Sequence, residues 1–104
     1  MIFEVQMLAF MDGEIRRVNV PDSEVTGNVP LDLERIFYYG QNHFQPVKGR
    51  CSVSVGDVVK VYGKDYICLN VGWALITPEQ LNEYKRIHRR DRSFSKYINL
   101  RRLS

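Results

Sequence analysis

Phe3, Val5, Met7, Ala9 and Met11 recur at every second position, with Glu4 and Gln6 between them. That alternation predicts a strand with one buried face. Asp12-Gly13 follows and predicts a two-residue hairpin turn, because type I′ turns need positive φ at both central positions. The returning strand is expected from about Glu14 to Val20. Ile15, Val18 and Val20 do not share one alternation, and the slip across Arg16-Arg17 predicts a β-bulge. Pro21 ends the strand, having no N–H to donate. Residues 22–29 are polar and turn-rich and read as a loop. A helix is predicted from about Pro30 to Tyr39, with proline in its first turn and Leu33, Ile36 and Phe37 on one face. Gly40 is expected to stop it in a left-handed conformation.

Residues 41–50 read as a second loop, broken by Pro46 and Gly49. Val53 and Val55 then alternate with serines. Gly56-Asp57 is expected to turn into Val58-Val59-Lys60-Val61, and Gly63-Lys64 into Tyr66-Ile67-Cys68-Leu69. Gly72 breaks the chain again before Trp73-Ala74-Leu75-Ile76. Three short β-rich runs at this spacing predict an antiparallel meander. Thr77-Pro78-Glu79-Gln80 is a helix start, with Thr77 as N-cap and Gln80 closing a capping box. Leu81 and Tyr84 form that helix's apolar side, and Trp73 is expected to pack beneath them. The order β-β-α-β-β-β-α describes an α+β fold, a small antiparallel sheet with two helices packed on one face or one end of it. A half-closed barrel is the alternative, because short strands with glycine turns also curl.

The chain of 104 residues fits one domain, 1–104, with ordinary globular composition of 44% hydrophobic and 26% charged residues. Its apolar runs are too short to cross a membrane as a helix. No basic n-region with an apolar h-region opens it, so a cytoplasmic setting is expected. Cys51 and Cys68 are then expected to stay reduced. The net charge of +3 hides a division. Residues 1–82 hold seven Lys/Arg against ten Asp/Glu, a net of −3, whereas residues 83–104 hold eight against two, a net of +6. A basic C-terminal helix or tail on a mildly acidic body points either to an acidic partner or to a solvated face that folds back on the body.

In the middle of the chain, Leu33-Glu34-Arg35-Ile36-Phe37, Gly40-Gln41-Asn42, Ser52-Val53-Ser54-Val55-Gly56-Asp57-Val58-Val59, Tyr66-Ile67-Cys68 and Val71-Gly72-Trp73 resemble the YodL-like domain. The resemblance spans roughly Leu31 to Ile76, and the Ser52–Val59 string is its most specific part. It implies a small accessory unit of the kind carried by bacteriophages, plasmids and conjugative elements. It implies no reaction, cofactor or catalytic residue. The N-terminal hairpin and the basic tail lie outside it.

Catalytic and metal-binding patterns are missing. His43, Cys51, Cys68 and His88 stand eight, seventeen and twenty residues apart, which matches no paired-ligand spacing for zinc. The glycines are scattered singly, so no phosphate loop is present, and Asp32 and Glu34 stand too near in sequence to share one helix face. No enzyme activity, metal or cofactor is expected. Aromatic residues are more suggestive: Phe37, Tyr38, Tyr39, His43 and Phe44 crowd the end of the first helix. Tyr38 and Tyr39 cannot both point inward beside Phe37, so at least one is expected outside or flat on the second helix. In the tail, Lys85, Arg89 and Arg92 share one side of a continued helix and Arg86 and Arg90 an adjacent row. Tyr38, Tyr39, Phe44, Lys85, Arg86, Arg89, Arg90 and Arg92 are therefore the expected partner-binding residues. A host protein with an acidic surface is the first expected partner, and nucleic acid the second.

Overall fold

A computed structural model describes residues 1–9, 14–41, 53–69, 72–88 and 101–102. Strands β1 (Ile2–Met7) and β2 (Glu14–Asn19) precede helix α1 (Val29–Tyr39). Strands β3 (Val58–Val61), β4 (Lys64–Cys68) and β5 (Trp73–Ile76) lead to helix α2 (Pro78–His88), and Arg101–Arg102 form a short strand β6. The predicted α+β order is observed, with β6 as an addition that no periodicity announced. Neighbouring strands are antiparallel throughout, in the order β2-β1-β3-β4-β5-β6. Among the described residues the sheet is open, edged by β2 and β6, so the barrel alternative is set aside.

The two helices cover opposite faces, not one. Side chains alternate across a strand. Val59 and Val61, Tyr66 and Cys68, and Trp73 accordingly join Leu33 and Ile36 of α1 in one core, with Phe3, Val5, Met7 and Val18. Val58, Ile67, Ala74 and Ile76 face the other way and meet Leu81 and Tyr84 of α2, together with Leu8. Trp73 thus packs on the α1 side, and the expectation that it underlies Leu81 and Tyr84 is corrected by strand parity. Burying Leu33 and Ile36 stabilises the fold by about 2 kcal/mol each.

Three local expectations are also corrected. The β1–β2 register is unbroken from Ile2↔Asn19 to Met7↔Glu14, so no bulge interrupts β2. The slip arises because Arg16 occupies an inward position beside Val18, while Ile15 faces out and is half exposed. Val53 and Val55 do not alternate in a strand: Val53 is buried, and Val55 is exposed in the turn before Asp57. The β3–β4 turn uses Tyr62-Gly63, one residue earlier than expected, with φ of 50° and 80°. Both central positions are then left-handed, as a tight hairpin requires.

Gly40 ends α1 at φ −79°, in the ordinary helical region, not left-handed. Its glycine is demanded by space: a Cβ there would lie 2.4 Å from Val53 Cγ2 and 2.9 Å from the Ile36 carbonyl. Asn28 caps the start of α1, its side chain accepting from the Leu31 N–H at 3.2 Å. At α2 the predicted capping box is present. Gln80 N–H donates to Thr77 Oγ1 at 3.2 Å, and Thr77 N–H donates to Gln80 Oε1 at 2.9 Å. Thr77→Ala is expected to lower stability by about 1 kcal/mol in chemical denaturation, whereas a loss of only a few tenths would mean the box contributes little. The predicted Asp12-Gly13 turn lies outside the described residues.

Candidate binding surfaces

The Ser54–Asp57 turn holds the two cores in register. The Asp57 carboxylate is buried and accepts from Ala9 N–H at 2.9 Å and Ser54 N–H at 2.8 Å. It therefore ties the end of β1 to the turn before β3. Gly56, at φ 98°, donates its N–H to the Cys68 carbonyl at 2.8 Å, and its own carbonyl accepts from Tyr84 Oη at 2.7 Å. The Tyr84 hydroxyl thus fixes α2 to the turn. Burial pushes the Asp57 carboxyl above its ordinary value, against the opposing pull of these N–H donors and of Arg16. The Ser52–Val59 string, read as a family signature, includes in this structure an acidic side chain that organises a turn.

A second carboxylate organises the start of α1. Asp32 accepts from Thr26 N–H at 2.8 Å, Thr26 Oγ1 at 2.9 Å, Gly27 N–H at 3.0 Å and Tyr62 Oη at 2.7 Å. Burial pushes its carboxyl up, but the bonds from Thr26, Tyr62 and Gly27 outweigh that and hold it below the ordinary value. The Tyr62 clasp also retains a bulky residue in a left-handed conformation that is otherwise unfavourable. Glu34 faces solvent while Asp32 is buried, so the two carboxylates part as their spacing predicted.

Cys68 is buried in the α1-side core, where it acts as a small apolar residue. Burial, with the charges of Asp57 and Glu34, pushes its thiol up to about 12, so it offers no thiolate at neutral pH. Among the described residues, no three His, Cys, Asp or Glu side chains gather as metal ligands. No helix among them is long and apolar enough to cross a membrane.

The outward side of α1 carries a shallow groove of about 420 Å³ lined by Leu31, Glu34, Arg35, Phe37, Tyr38 and Gln41. Leu31 and Tyr38 are 56% and 51% exposed. Tyr38 is the exposed tyrosine of the pair, while Tyr39 is half-buried against the core and donates its hydroxyl to Glu24. That bond raises the Tyr39 pKa, and the same carboxylate lies 3.5 Å from the Arg35 guanidinium. The two rings meet edge to face, 5.1 Å apart at 85°.

Lys85 and Arg86 are exposed on α2, and Arg86 pairs with Glu83 one turn earlier. The expected binding residues therefore fall into two groups on opposite faces of the sheet, Tyr38 and Tyr39 with α1, Lys85 and Arg86 with α2. Phe44, Arg89, Arg90 and Arg92 lie outside the described residues, as do His43 and Cys51. What the sequence reading missed is where the tail ends. α2 follows directly on β5, and Arg101–Arg102 pair with Leu75 and Ala74 of the same strand. α2 and β6 thus both adjoin β5. Comparison with family models, curated proteins and solved structures finds no significant match.

Proposed function

We propose that this chain is a small non-enzymatic accessory protein, of the kind carried by phages and mobile elements, that acts by binding an acidic surface of a host protein. The observation that carries this reading is the concentration of positive charge in the last part of the sequence. Residues 83–104 hold eight Lys/Arg against two acids; α2, which carries Lys85 and Arg86, follows directly on β5, and Arg101–Arg102 pair with the same strand. A cluster of one sign attracts the opposite sign. The resemblance of residues 31–76 to the YodL-like domain supports the mobile-element origin. The partner contact is assigned to Lys85, Arg86, Arg89, Arg90 and Arg92, with Tyr38 and Tyr39 on a separate surface.

Nucleic acid is the second reading, favoured by the same basic residues, because phosphate neutralisation with counterion release needs only clustered Lys and Arg. Affinity capture from bacterial host lysate, with and without nuclease, separates the two. If the partner is a protein, one captured protein persists after nuclease treatment. Material that vanishes with nuclease, and duplex binding that falls steeply with salt, would instead establish the nucleic-acid reading.

A further inference from the structure

Leu31, Glu34, Arg35 and Tyr38 stand at positions i, i+3, i+4 and i+7 on the outward side of α1 and line its groove. Four residues at that spacing form the hole into which a facing helix inserts one side chain. The quartet also has a sign pattern. Leu31 and Tyr38, both about half exposed, run along the middle of the stripe, about 10 Å apart at 1.5 Å per residue. At about 100° per residue, Glu34 falls on one flank of that line and Arg35 on the other.

We propose that this stripe is a contact between two copies of the chain, with the α1 helices side by side and parallel about a two-fold axis. In a parallel pair the flank bearing Glu34 on one copy faces the flank bearing Arg35 on the other, so two Glu34–Arg35 pairs form across the contact. Leu31 then meets Leu31 of the second copy, and Tyr38 meets Tyr38. An antiparallel pair sets Glu34 beside Glu34 and Arg35 beside Arg35, and like charges repel. The charges therefore select both the occupant and its direction. Arg35 is 52% exposed and its pairing with Glu24 spans 3.5 Å, so its guanidinium is placed to serve both carboxylates. The contact covers barely two helical turns, which fits a weak, concentration-dependent dimer. This surface lies on the opposite face of the sheet from α2, so dimerisation leaves α2's exposed face uncovered and would supply two such faces per assembly.

Sedimentation equilibrium over a wide concentration range tests the proposal on the full chain. The wild type is expected to show a monomer–dimer equilibrium. Glu34→Arg should weaken it by about tenfold or more, by setting arginine against arginine across the contact, and Arg35→Glu should do the same by facing two glutamates. The decisive arm mixes the two single variants, since each supplies the charges the other lacks. The mixture should associate where neither variant does alone, and the double variant Glu34→Arg with Arg35→Glu should self-associate like the wild type. Thermal melts confirm that each variant is folded; if Arg35→Glu fails to fold, Arg35→Gln with Glu34→Arg still separates the cases. A wild type that stays monomeric at all concentrations overturns the proposal. So does a dimer that Glu34→Arg leaves intact, or a mixture of folded variants that does not associate.

Discussion

Asp57→Ala should lower stability by about 3 kcal/mol, because one buried and one partly buried N–H lose their acceptor and each unsatisfied donor costs about 1–3 kcal/mol. The donors are Ala9 N–H and Ser54 N–H, at 2.9 and 2.8 Å. The same substitution removes the countercharge from buried Arg16 and loosens the turn whose Gly56 carbonyl receives Tyr84. Asp57→Asn should recover part of the loss, since an amide oxygen still accepts from Ala9 while its nitrogen cannot accept from Ser54. Urea denaturation of the two variants reads this directly. A loss below about 1 kcal/mol for Asp57→Ala would mean that water replaces the carboxylate and that the turn does not depend on it.

Asp32→Ala is expected to cost about 2 kcal/mol at neutral pH, less than Asp57 because its donors lie nearer the surface. Thr26, Gly27 and Tyr62 lose a common acceptor, and Tyr62 keeps its left-handed backbone without the bond that holds it there. The pH dependence has a definite sign. Asp32 has a folded pKa below its unfolded value of about 3.9, so its contribution is complete above that unfolded value. The contribution is lost as the pH falls through the lowered folded value. Asp57 acts in the opposite sense, because its pKa is raised on folding. Its ionisation costs stability at neutral pH, and protonation between its raised value and about 4 returns it. The stability difference between wild type and Asp32→Ala should therefore stay constant from neutral pH down to about 4.5 and shrink only below that. A difference already shrinking between about pH 7 and 5 would contradict the assignment of Asp32 as the depressed group.

What the sequence disclosed and what it hid divide along local and non-local lines. The order of strands and helices along the chain, the extent of α1 and the Thr77–Gln80 box are written in patterns a few residues long, and the structure contains them. That one tyrosine of the pair lies outside was also legible, since Leu33, Ile36 and Phe37 claim the inward side of a short helix, but not that it is Tyr38. The face that each helix covers was not legible, because it depends on how the alternation of β3, β4 and β5 is phased against helices distant in sequence. Trp73 was misplaced for that reason. Arg16 misled the reading because a charged residue took a position that apolar periodicity reserves for valine or isoleucine. Gly40 misled it because a glycine after a helix has two uses, and only the approach of Val53 shows which applies. Asp57 carried a faint signal, an acid placed between a glycine turn and an apolar strand where solvent is excluded. The return of the basic tail to β5 had no signal, since two arginines carry no strand periodicity.

The central claim is that the basic segment makes the principal contact with an acidic host protein. Its most direct test is capture from host lysate by a variant carrying Arg86→Glu, Arg89→Glu and Arg90→Glu, beside the wild type. Arg86 is exposed and pairs with Glu83 on the same helix, so its reversal should leave the core intact. The expected result is a variant with the wild-type melting profile that captures nothing and shifts no nucleic acid. A folded variant that captures the same protein as the wild type would contradict the claim, leaving the basic segment a solubilising surface and moving the partner contact to Tyr38, Tyr39 and Phe44.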